Sequence, residues 1–455
     1  MEDILNQKIC IIGLGKEGVS AANYLGKNNK ITIVDQKKKE KIDAVFFEKL
    51  KISKGNFYFD GKLPESLDFD YVIRSPGVRP DHQIIKTFIQ KGANLISTTK
   101  MFFDLCPCPI IGVTGTKGKG TTSTLIYEML KASGKKAFLA GNIGTPALDV
   151  LEKLDNASFV VLELSSFQLI DLKKSPHIAV VLMITSEHMD WHTGSEEYKN
   201  AKESVVKFQK KTDFAVINQD FEISKSFARK TKAKVYFFST QKEANGSFLD
   251  NGRLITQING KETIAKTVDV RLPGKHNLQN VLAAATAVKI LGVTNETILK
   301  VMQTFKGLPN RLQLVDEIDD VKYYNDSFST TPETTIAAIE AFSNPKILIL
   351  GGSSKKSDFS NLAQKIIGDS SIKTLILIGD EAKTIRNAIQ TKGSFNGKII
   401  EGLKDIKEIV ESARSHSSPG DIVILSPACA SFDMFKNYQD RGEQFEKEVK
   451  SLKTK

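Results

Sequence analysis

Residues 114–122 read TGTKGKGTT and follow the apolar run Ile110 to Val113. In a turn of this kind successive backbone amides form a nest for an anion, a lysine reaches terminal phosphates, and a nearby hydroxyl can meet Mg²⁺. The segment Thr114, Gly115, Thr116, Lys117, Gly118, Lys119, Gly120, Thr121 and Thr122 is therefore a candidate nucleoside-triphosphate site, with Lys119 as the phosphate clamp. It departs from the general P-loop pattern at two places. Val113 stands where the first glycine is expected, and Gly120 replaces the hydroxyl residue after the lysine, which leaves Thr121 as the nearer hydroxyl for the cation. A plain glycine turn between strand and helix is the structural alternative, and Lys119 between two glycines weighs against it.

Gly13, Gly15 and Gly18 form a GxGxxG directly after the apolar run Ile9 to Ile12, and Asp35 follows the next such run. Glycine lets the backbone approach a pyrophosphate at a helix N-terminus, and an acidic residue can take ribose hydroxyls. Read alone, this is a dinucleotide fingerprint and an NAD(P)-dependent oxidoreductase, a reading that leaves Lys119, Glu163 and Lys202 without a use. Glu163 ends the apolar run Phe159 to Leu162, where a carboxylate can ligate one or two Mg²⁺ ions; a buried or capping glutamate is its structural alternative. His188 stands in a polar cluster after Ile178 to Ile184, and a histidine there is more often a structural residue than a ligand.

The elements that must hold these residues are short apolar runs at Ile9 to Ile12, Ile31 to Val34, Phe159 to Leu162, Ile178 to Ile184, Ile347 to Leu350, Leu375 to Ile378 and Ile422 to Leu425, alternating with helical patterns. Such runs predict an α/β protein with mostly parallel sheets, its ligands gathered beyond the carboxyl ends of the strands. The chain has 455 residues, about three domains at roughly 150 residues each. Breaks at Cys106 to Pro109 and at Gly307 to Pro309 set them at 1–107, 108–308 and 309–455.

The composition narrows the class. A formal charge of +11 is carried by lysines spread along the whole chain, without a nucleic-acid motif, and suits small anionic substrates rather than a polynucleotide. Met1, Glu2 and Asp3 begin no cationic stretch with an apolar run behind it, and no run approaches about 18 apolar residues, so neither a secretory signal nor a spanning helix is expected. A cytoplasmic chain is the reading. Cys10, Cys106, Cys108 and Cys429 are too few and too scattered for a disulfide framework or a paired zinc site.

Longer strings carry a resemblance. The TGTxGK form of the phosphate loop occurs with AGNIGTP at 140–146, ELSSFQL at 163–169, EHMD at 187–190, GKHNLQN at 274–280, GLPNR at 307–311, NDS at 325–327 and LSPACASFDMFKNYQDRG at 425–442. Together and in this order they resemble the Mur ligases, and among them the members that add glutamate, over essentially the whole chain. The resemblance implies an N-terminal Rossmann-like domain for UDP, a central P-loop ATPase and a C-terminal Rossmann-like domain for the amino acid. It implies an ATP-dependent ligase that joins D-glutamate to UDP-N-acetylmuramoyl-L-alanine through an acyl phosphate, acting as a monomer in cytoplasmic peptidoglycan precursor synthesis.

The same resemblance distributes roles. Gly15, Asp35, Ser75 and Gly77 fall to the uridine diphosphate, and Asn142 to the reacting substrate. Glu163, His188, Thr121 and Lys202 fall to two Mg²⁺ ions, Lys202 as a CO2-derived carbamate. Asn277 and Asn280 fall near the adenine of ATP, Arg311 to its phosphates after domain closure, and Asp326 to its ribose. Thr330, Lys355, Ser431, Phe432 and Tyr438 match the amino-acid pocket. This chain departs from the family at Phe328, where a lysine is common, followed by Ser329, Thr330, Thr331 and Pro332. It departs again at Asn310, Glu187 and Trp191. Phe328 leaves L-glutamate open as the amine, and a folylpolyglutamate synthase-like ligase is the nearest rival, against which the 425–442 string and the UDP-type first domain argue. A non-catalytic nucleotide-binding protein would follow if Gly120 abolished Mg²⁺ binding.

Overall fold

The computed structural model describes residues 4–52, 55–185, 187–188, 191–355 and 357–454; Met1 to Asp3, and Met189 and Asp190 of the 187–190 string, lie outside them. By packing, the chain forms two units, Met1–Asp269 with Leu278–Met302, and Val270–Asn277 with Gln303–Lys455.

The first unit carries two parallel sheets. Strands β1 (Lys8–Ile12), β2 (Lys30–Val34), β3 (Gly55–Tyr58), β4 (Tyr71–Arg74) and β5 (Asn94–Ser97) are ordered 3-2-1-4-5. The direction of winding reverses between β1 and β4, and a crevice opens there at the carboxyl ends. Strands β6 (Ile110–Thr114), β7 (Ala137–Gly141), β8 (Phe159–Glu163), β9 (Ile178–Val181), β10 (Phe214–Asn218) and β11 (Lys234–Phe238) are ordered 11-10-9-6-8-7. β6 and β9 are buried throughout, as expected of strands covered on both faces. An antiparallel meander of β12 (Ser247–Asp250), β13 (Arg253–Thr256) and β14 (Glu262–Lys266) follows. The boundary read near residue 107 falls between the two parallel sheets. One apolar cluster spans them, from Ile9 and Ile11 through Met101 and Phe102 to Leu148 and Val160.

The second unit is built on β15 (Gln313–Ile318), β16 (Val321–Asn325), β17 (Lys346–Gly351), β18 (Ile372–Ile378), β19 (Lys398–Ile400) and β20 (Ile422–Leu425), ordered 15-16-20-17-18-19. β15 and β16 form an antiparallel hairpin and the remaining pairs are parallel. No helix among the described residues is long and apolar enough to cross a membrane.

The run Ile178 to Ile184 is a strand only as far as Val181. Beyond it the backbone turns to other partners: Met183 O accepts from Thr116 N at 2.7 Å, and Ile184 N donates to Ser224 Oγ at 3.1 Å. Hydropathy continues through Ile184 because the segment stays buried beneath the phosphate loop.

Fully buried Arg441 organises the loops at the carboxyl end of the second unit's sheet. Its Nε donates to Ser327 Oγ at 2.8 Å, Nη2 to Ser327 O at 2.9 Å and Cys429 O at 3.2 Å, and Nη1 to Ala430 O at 3.2 Å. Removing these donors strands buried carbonyls, at about 1–3 kcal/mol for each one left without a partner. Arg441→Met is expected to lower the urea midpoint of the second unit accordingly, with Arg441→Lys intermediate; an unchanged midpoint would refute this account of the loops.

Candidate functional site

β6 delivers the backbone into the phosphate loop at the centre of its sheet. Gly115 has φ +157° and Gly118 φ +86°, and Gly118 caps the helix Lys119–Ala132. A Cβ on Gly115 would meet Leu182 Cβ at 2.7 Å, and one on Gly118 would meet Asn280 Oδ1 at 2.3 Å. Glycine is thus required here by packing as well as by the left-handed conformation at 118. Lys119 curls back over the loop, donating from Nζ to Gly115 O and Thr116 O, both at 3.0 Å. Lys117 instead points outward and pairs with Glu187 at 2.5 Å. Thr122 is buried and donates to Asn280 Oδ1 at 3.3 Å, while the half-buried Thr121 hydroxyl makes no hydrogen bond among the described residues. Of the two hydroxyls after the lysine, Thr121 is the one a cation could use.

Lys202 sits directly beneath this loop. It lies on the helix Ser195–Lys207, is 1% exposed, and donates from Nζ to Gly115 O at 2.9 Å and Thr114 Oγ1 at 3.4 Å. Burial, with the charge of Lys119 adding to it, drives the amine well below a lysine's ordinary range. Residue type alone makes Lys202 a surface helix lysine; the structure makes it an interior group. One helical turn earlier, Tyr198 passes its hydroxyl to Thr116 Oγ1 at 3.1 Å, and its ring lies 4.8 Å from Lys202 Nζ.

Glu163 ends β8 at 5% exposure, and Asn142 holds it twice, Nδ2 to Oε1 at 2.8 Å and N to the Glu163 carbonyl at 3.0 Å. His188 adopts φ +58° with its ring 4.8 Å from that of Phe167 and its side chain 47% exposed. No group of three His, Cys, Asp or Glu side chains suited to a metal occurs among the described residues. The donors near the loop are instead the carboxylates of Glu163 and Glu187, the latter paired with Lys117, together with the Thr121 hydroxyl and the buried Lys202 amine, and the oxygens among them suit a hard cation.

The glycine-rich loop after β1 borders a cleft of about 660 Å³. Gly18 is essential for closeness, since a Cβ there would lie 2.0 Å from Gly13 O, whereas a Cβ on Gly15 or Gly77 would meet nothing within 4 Å. Gly15 and Gly77 leave room on the cleft side. Asp35 accepts from Leu14 N at 2.7 Å and Lys37 N at 2.8 Å, and Ser75 Oγ donates to Gly13 O at 2.9 Å, so both brace the loop. The far end of the same cleft is lined by Asn142, Ser165, Phe167 and Gln168. One continuous hollow therefore runs from the first sheet to the Glu163 end of the second.

In the second unit, Lys355 Nζ donates to Thr330 Oγ1 at 3.1 Å, Ser431 is buried, and Phe432 is 73% exposed. Tyr438 meets Phe328 edge-to-face at 5.1 Å, and the Arg311 guanidinium lies 3.7 Å from the Phe328 ring centre. Asp326 accepts from Ser426 Oγ at 2.8 Å and Leu312 N at 3.1 Å, and burial raises its carboxyl to about 6. Asn277 packs with this unit and donates to Pro273 O at 2.6 Å, whereas Asn280 belongs to the first unit, against the phosphate loop.

Residue types alone did not single out Arg74, Arg79, Tyr198 or Arg441. Arg74 is fully buried and forms a bidentate pair with Asp171, at 3.0 and 2.6 Å, and also donates to Phe167 O, Ser75 O, Pro76 O and Val78 O. An arginine closing an otherwise apolar strand was its only signal. Tyr198 could have been found from its spacing of one turn before Lys202.

Family models match in three stretches: the Mur ligase MurD-like N-terminal domain over 7–97, the Mur ligase middle domain over 113–288, and the Mur ligase glutamate ligase domain over 310–429. The chain is 39% identical over 460 residues to the UDP-N-acetylmuramoylalanine–D-glutamate ligase of Acetivibrio thermocellus, covering 99% of this chain and 97% of that protein. It is 38% identical over 455 residues to the protein of the same name from Clostridioides difficile strain 630, covering 99% and 100%. The solved UDP-N-acetylmuramate–alanine ligase of Thermotoga maritima shares the fold, with a TM-score of 0.62 at 17% identity over 98% of this chain and 100% of that one.

Two measurements test the loop. Gly118→Ala, forced to φ +86° against Asn280, is expected to weaken ATP binding about tenfold or more, a cost of about 1–3 kcal/mol, read by calorimetry. For Lys202, the folded amine releases its proton below the unfolded value of 10.5. The unfolded chain thus binds more protons between those two values, and stability rises with pH across that window. In CO2-free buffer, Lys202→Met should flatten this rise, and urea denaturation at pH 7 and 9.5 would reveal an equal slope in both proteins if the account is wrong.

Proposed function

The chain belongs to the Mur ligase family, and from that premise we propose that it joins D-glutamate to UDP-N-acetylmuramoyl-L-alanine, with ATP and Mg²⁺, in peptidoglycan precursor synthesis. The observation that carries this reading is the cleft that begins at the Gly13–Gly18 loop and ends at Asn142 and Gln168, beside the carboxylate of Glu163. A nucleotide sugar seated on the glycine loop would extend its carboxylate toward the phosphate loop of the same unit.

ATP with Mg²⁺ supplies the phosphoryl group that turns an unreactive carboxylate into an acyl phosphate, from which phosphate leaves when the glutamate amine attacks. The protein's part is positioning and charge neutralisation. Lys119 already faces the space over Gly115 and Thr116 and meets terminal phosphate oxygens there. Glu163, oriented by Asn142, and Thr121 would hold the cation, with His188 beside Phe167 as a further ligand. Asn142 also lines the cleft and orients the reacting carboxylate.

Lys202 fits the role of a carbamate. Carbamylation needs the uncharged amine, and burial with a neighbouring cation favours that form. The product would carry a negative charge beneath the phosphate loop, next to Lys119, and would serve the cation where an ammonium cannot. Asn280, Asn277, Arg311 and Asp326 are assigned to the nucleotide, and Thr330, Lys355, Ser431, Phe432 and Tyr438 to the amino acid. A single chain contains all of these groups, so a monomer suffices, and the cytoplasm, where ATP and nucleotide sugars occur, is the compartment. A second reading, with L-glutamate as the amine, is favoured by one observation: Phe328 is engaged by Arg311 and Tyr438 and leaves no cation at that position.

Purified protein with UDP-N-acetylmuramoyl-L-alanine, ATP and Mg²⁺, offered D-glutamate, L-glutamate, lysine or a diamino acid separately, should give phosphate and a mass gain of one glutamyl residue with D-glutamate alone. Product with L-glutamate would install the second reading, and no product with either would sink both. Lys202→Ala should lose at least about two decades of kcat, a loss of the size of a missing transition-state contact, and recover in part with millimolar acetate or formate. Full activity of that variant in CO2-free buffer would remove the carbamate.

A further inference from the structure

The cleft turn Ser75–Val78 is tied to the rest of the first unit by two arginines of different character. Arg74 is interior, and its many donors join the turn permanently to Phe167 and Asp171. Arg79 lies outside, with its side chain 21% exposed. Its Nη1 donates to Trp191 O at 2.7 Å and Glu197 Oε2 at 3.0 Å, and its Nη2 to Glu197 Oε1 at 2.9 Å. The guanidinium also lies 5.1 Å from the Trp191 ring centre and pairs with Asp81.

From there contacts run without a gap in both directions. Toward the cleft, Trp191 Nε1 donates to Gly77 O at 3.0 Å, and Gly77 lines the hollow. Toward the phosphate loop, Glu197 stands on the helix Ser195–Lys207 and accepts from Thr193 N at 2.9 Å. It also meets His192, whose other ring nitrogen lies 2.9 Å from Ser166 Oγ. The next residue, Tyr198, holds Thr116, and Lys202, one turn on, holds Gly115. The cleft and the phosphate loop are thus linked by one partly buried ion pair and one helix.

We propose that Arg79, with Trp191 and Glu197, is a latch through which occupation of the glycine-loop cleft and occupation of the phosphate loop favour one another. The proposal rests on the reading of these sites as nucleotide-sugar and ATP sites. Arg79 acts through Glu197 and the Lys202 helix and is a positioning residue; it lines neither site. A ligand that seats Gly77 fixes Trp191 and Arg79, which fix the helix, and a nucleotide on Gly115 and Thr116 fixes the same helix from its other side. Such coupling is reciprocal by thermodynamic necessity.

The test is calorimetric titration with UDP-N-acetylmuramoyl-L-alanine, alone and with saturating Mg²⁺ and a non-hydrolysable ATP analogue, and then the reverse titration. In the unaltered protein each ligand should tighten the other by about tenfold, the same factor both ways. In Arg79→Met and Trp191→Leu the factor should fall to about 1, while each ligand alone binds within about threefold of the unaltered protein. Arg79→Lys, which keeps one charge on Glu197, should be intermediate. Trp191→Phe, which keeps an aromatic face for Arg79 and loses the donor to Gly77, should lower the factor in part. Undiminished coupling in Arg79→Met and Trp191→Phe, or no coupling in the unaltered protein, overturns the latch and leaves the ligand assignments standing. Failure of either ligand to bind the unaltered protein at all overturns the assignments and the latch with them.

Discussion

A lysine amine enclosed by protein beneath a phosphate-binding loop is the constraint on which the rest of the first unit depends. An ammonium at that position would lie near Lys119, and burial with that like charge outweighs the pull of Glu187 and Glu163, so the interior favours the neutral amine. Holding a neutral amine against the carbonyl of Gly115 requires the helix Ser195–Lys207 to run close beneath the loop, and Tyr198 at the preceding turn fixes its distance through Thr116. β9 must then end early, because the backbone at Met183 is needed by Thr116 rather than by a neighbouring strand. The close helix, the Tyr198 contact and the early end of β9 thus share one cause.

The glycines divide the labour in a way their spacing does not disclose. Gly18, Gly115 and Gly118 are sites of close approach, where a side chain would strike the Gly13 carbonyl, Leu182 or Asn280; Gly15 and Gly77 are sites of open space. The first kind builds the wall and the second leaves room for an occupant. A GxGxxG can therefore serve a dinucleotide or a nucleoside diphosphate with the same backbone, and the ligand is decided by what lies at the far end of the cleft. Here that end is Asn142, just past β7, and Gln168, on the short helix Ser166–Leu169 after β8, beside a second sheet packed on the first by a shared apolar cluster.

The architecture was legible because parallel strands covered on both faces appear as unbroken apolar runs, and most of those runs are strands to within a residue or two. The two glycine loops were legible because backbone conformation demands a residue type there. Partnerships between distant residues were not. Nothing local to Arg74 points to Asp171, Lys202 carries the composition of a solvated helix face, and the helix Lys275–Ile290 is divided after Asn277 between the two units. Burial of a long cation is a property of the assembled sheets, and a stretch of sequence with charged neighbours on both sides carries no mark of it.

The departures at Asn310 and Phe328 show how a family site changes without losing its frame. Asn310 adopts φ +60°, a conformation asparagine tolerates better than most residues, and its side-chain oxygen accepts from Asn325 Nδ2 at 3.0 Å. A Cβ on Gly442 would lie 1.6 Å from that oxygen, so Asn310, Asn325 and Gly442 form one packed set. Arg311 follows immediately and rests on the Phe328 ring, itself steadied edge-to-face by Tyr438. A lysine at 328 would place a second cation where the guanidinium now stacks, and Arg311 would have to stand away from it. With phenylalanine the arginine is held and ordered by the ring's own field. The residue that removes a cation from one pocket thereby preorganises a cation beside it, and a change that looks like a loss in sequence is an exchange of one electrostatic arrangement for another.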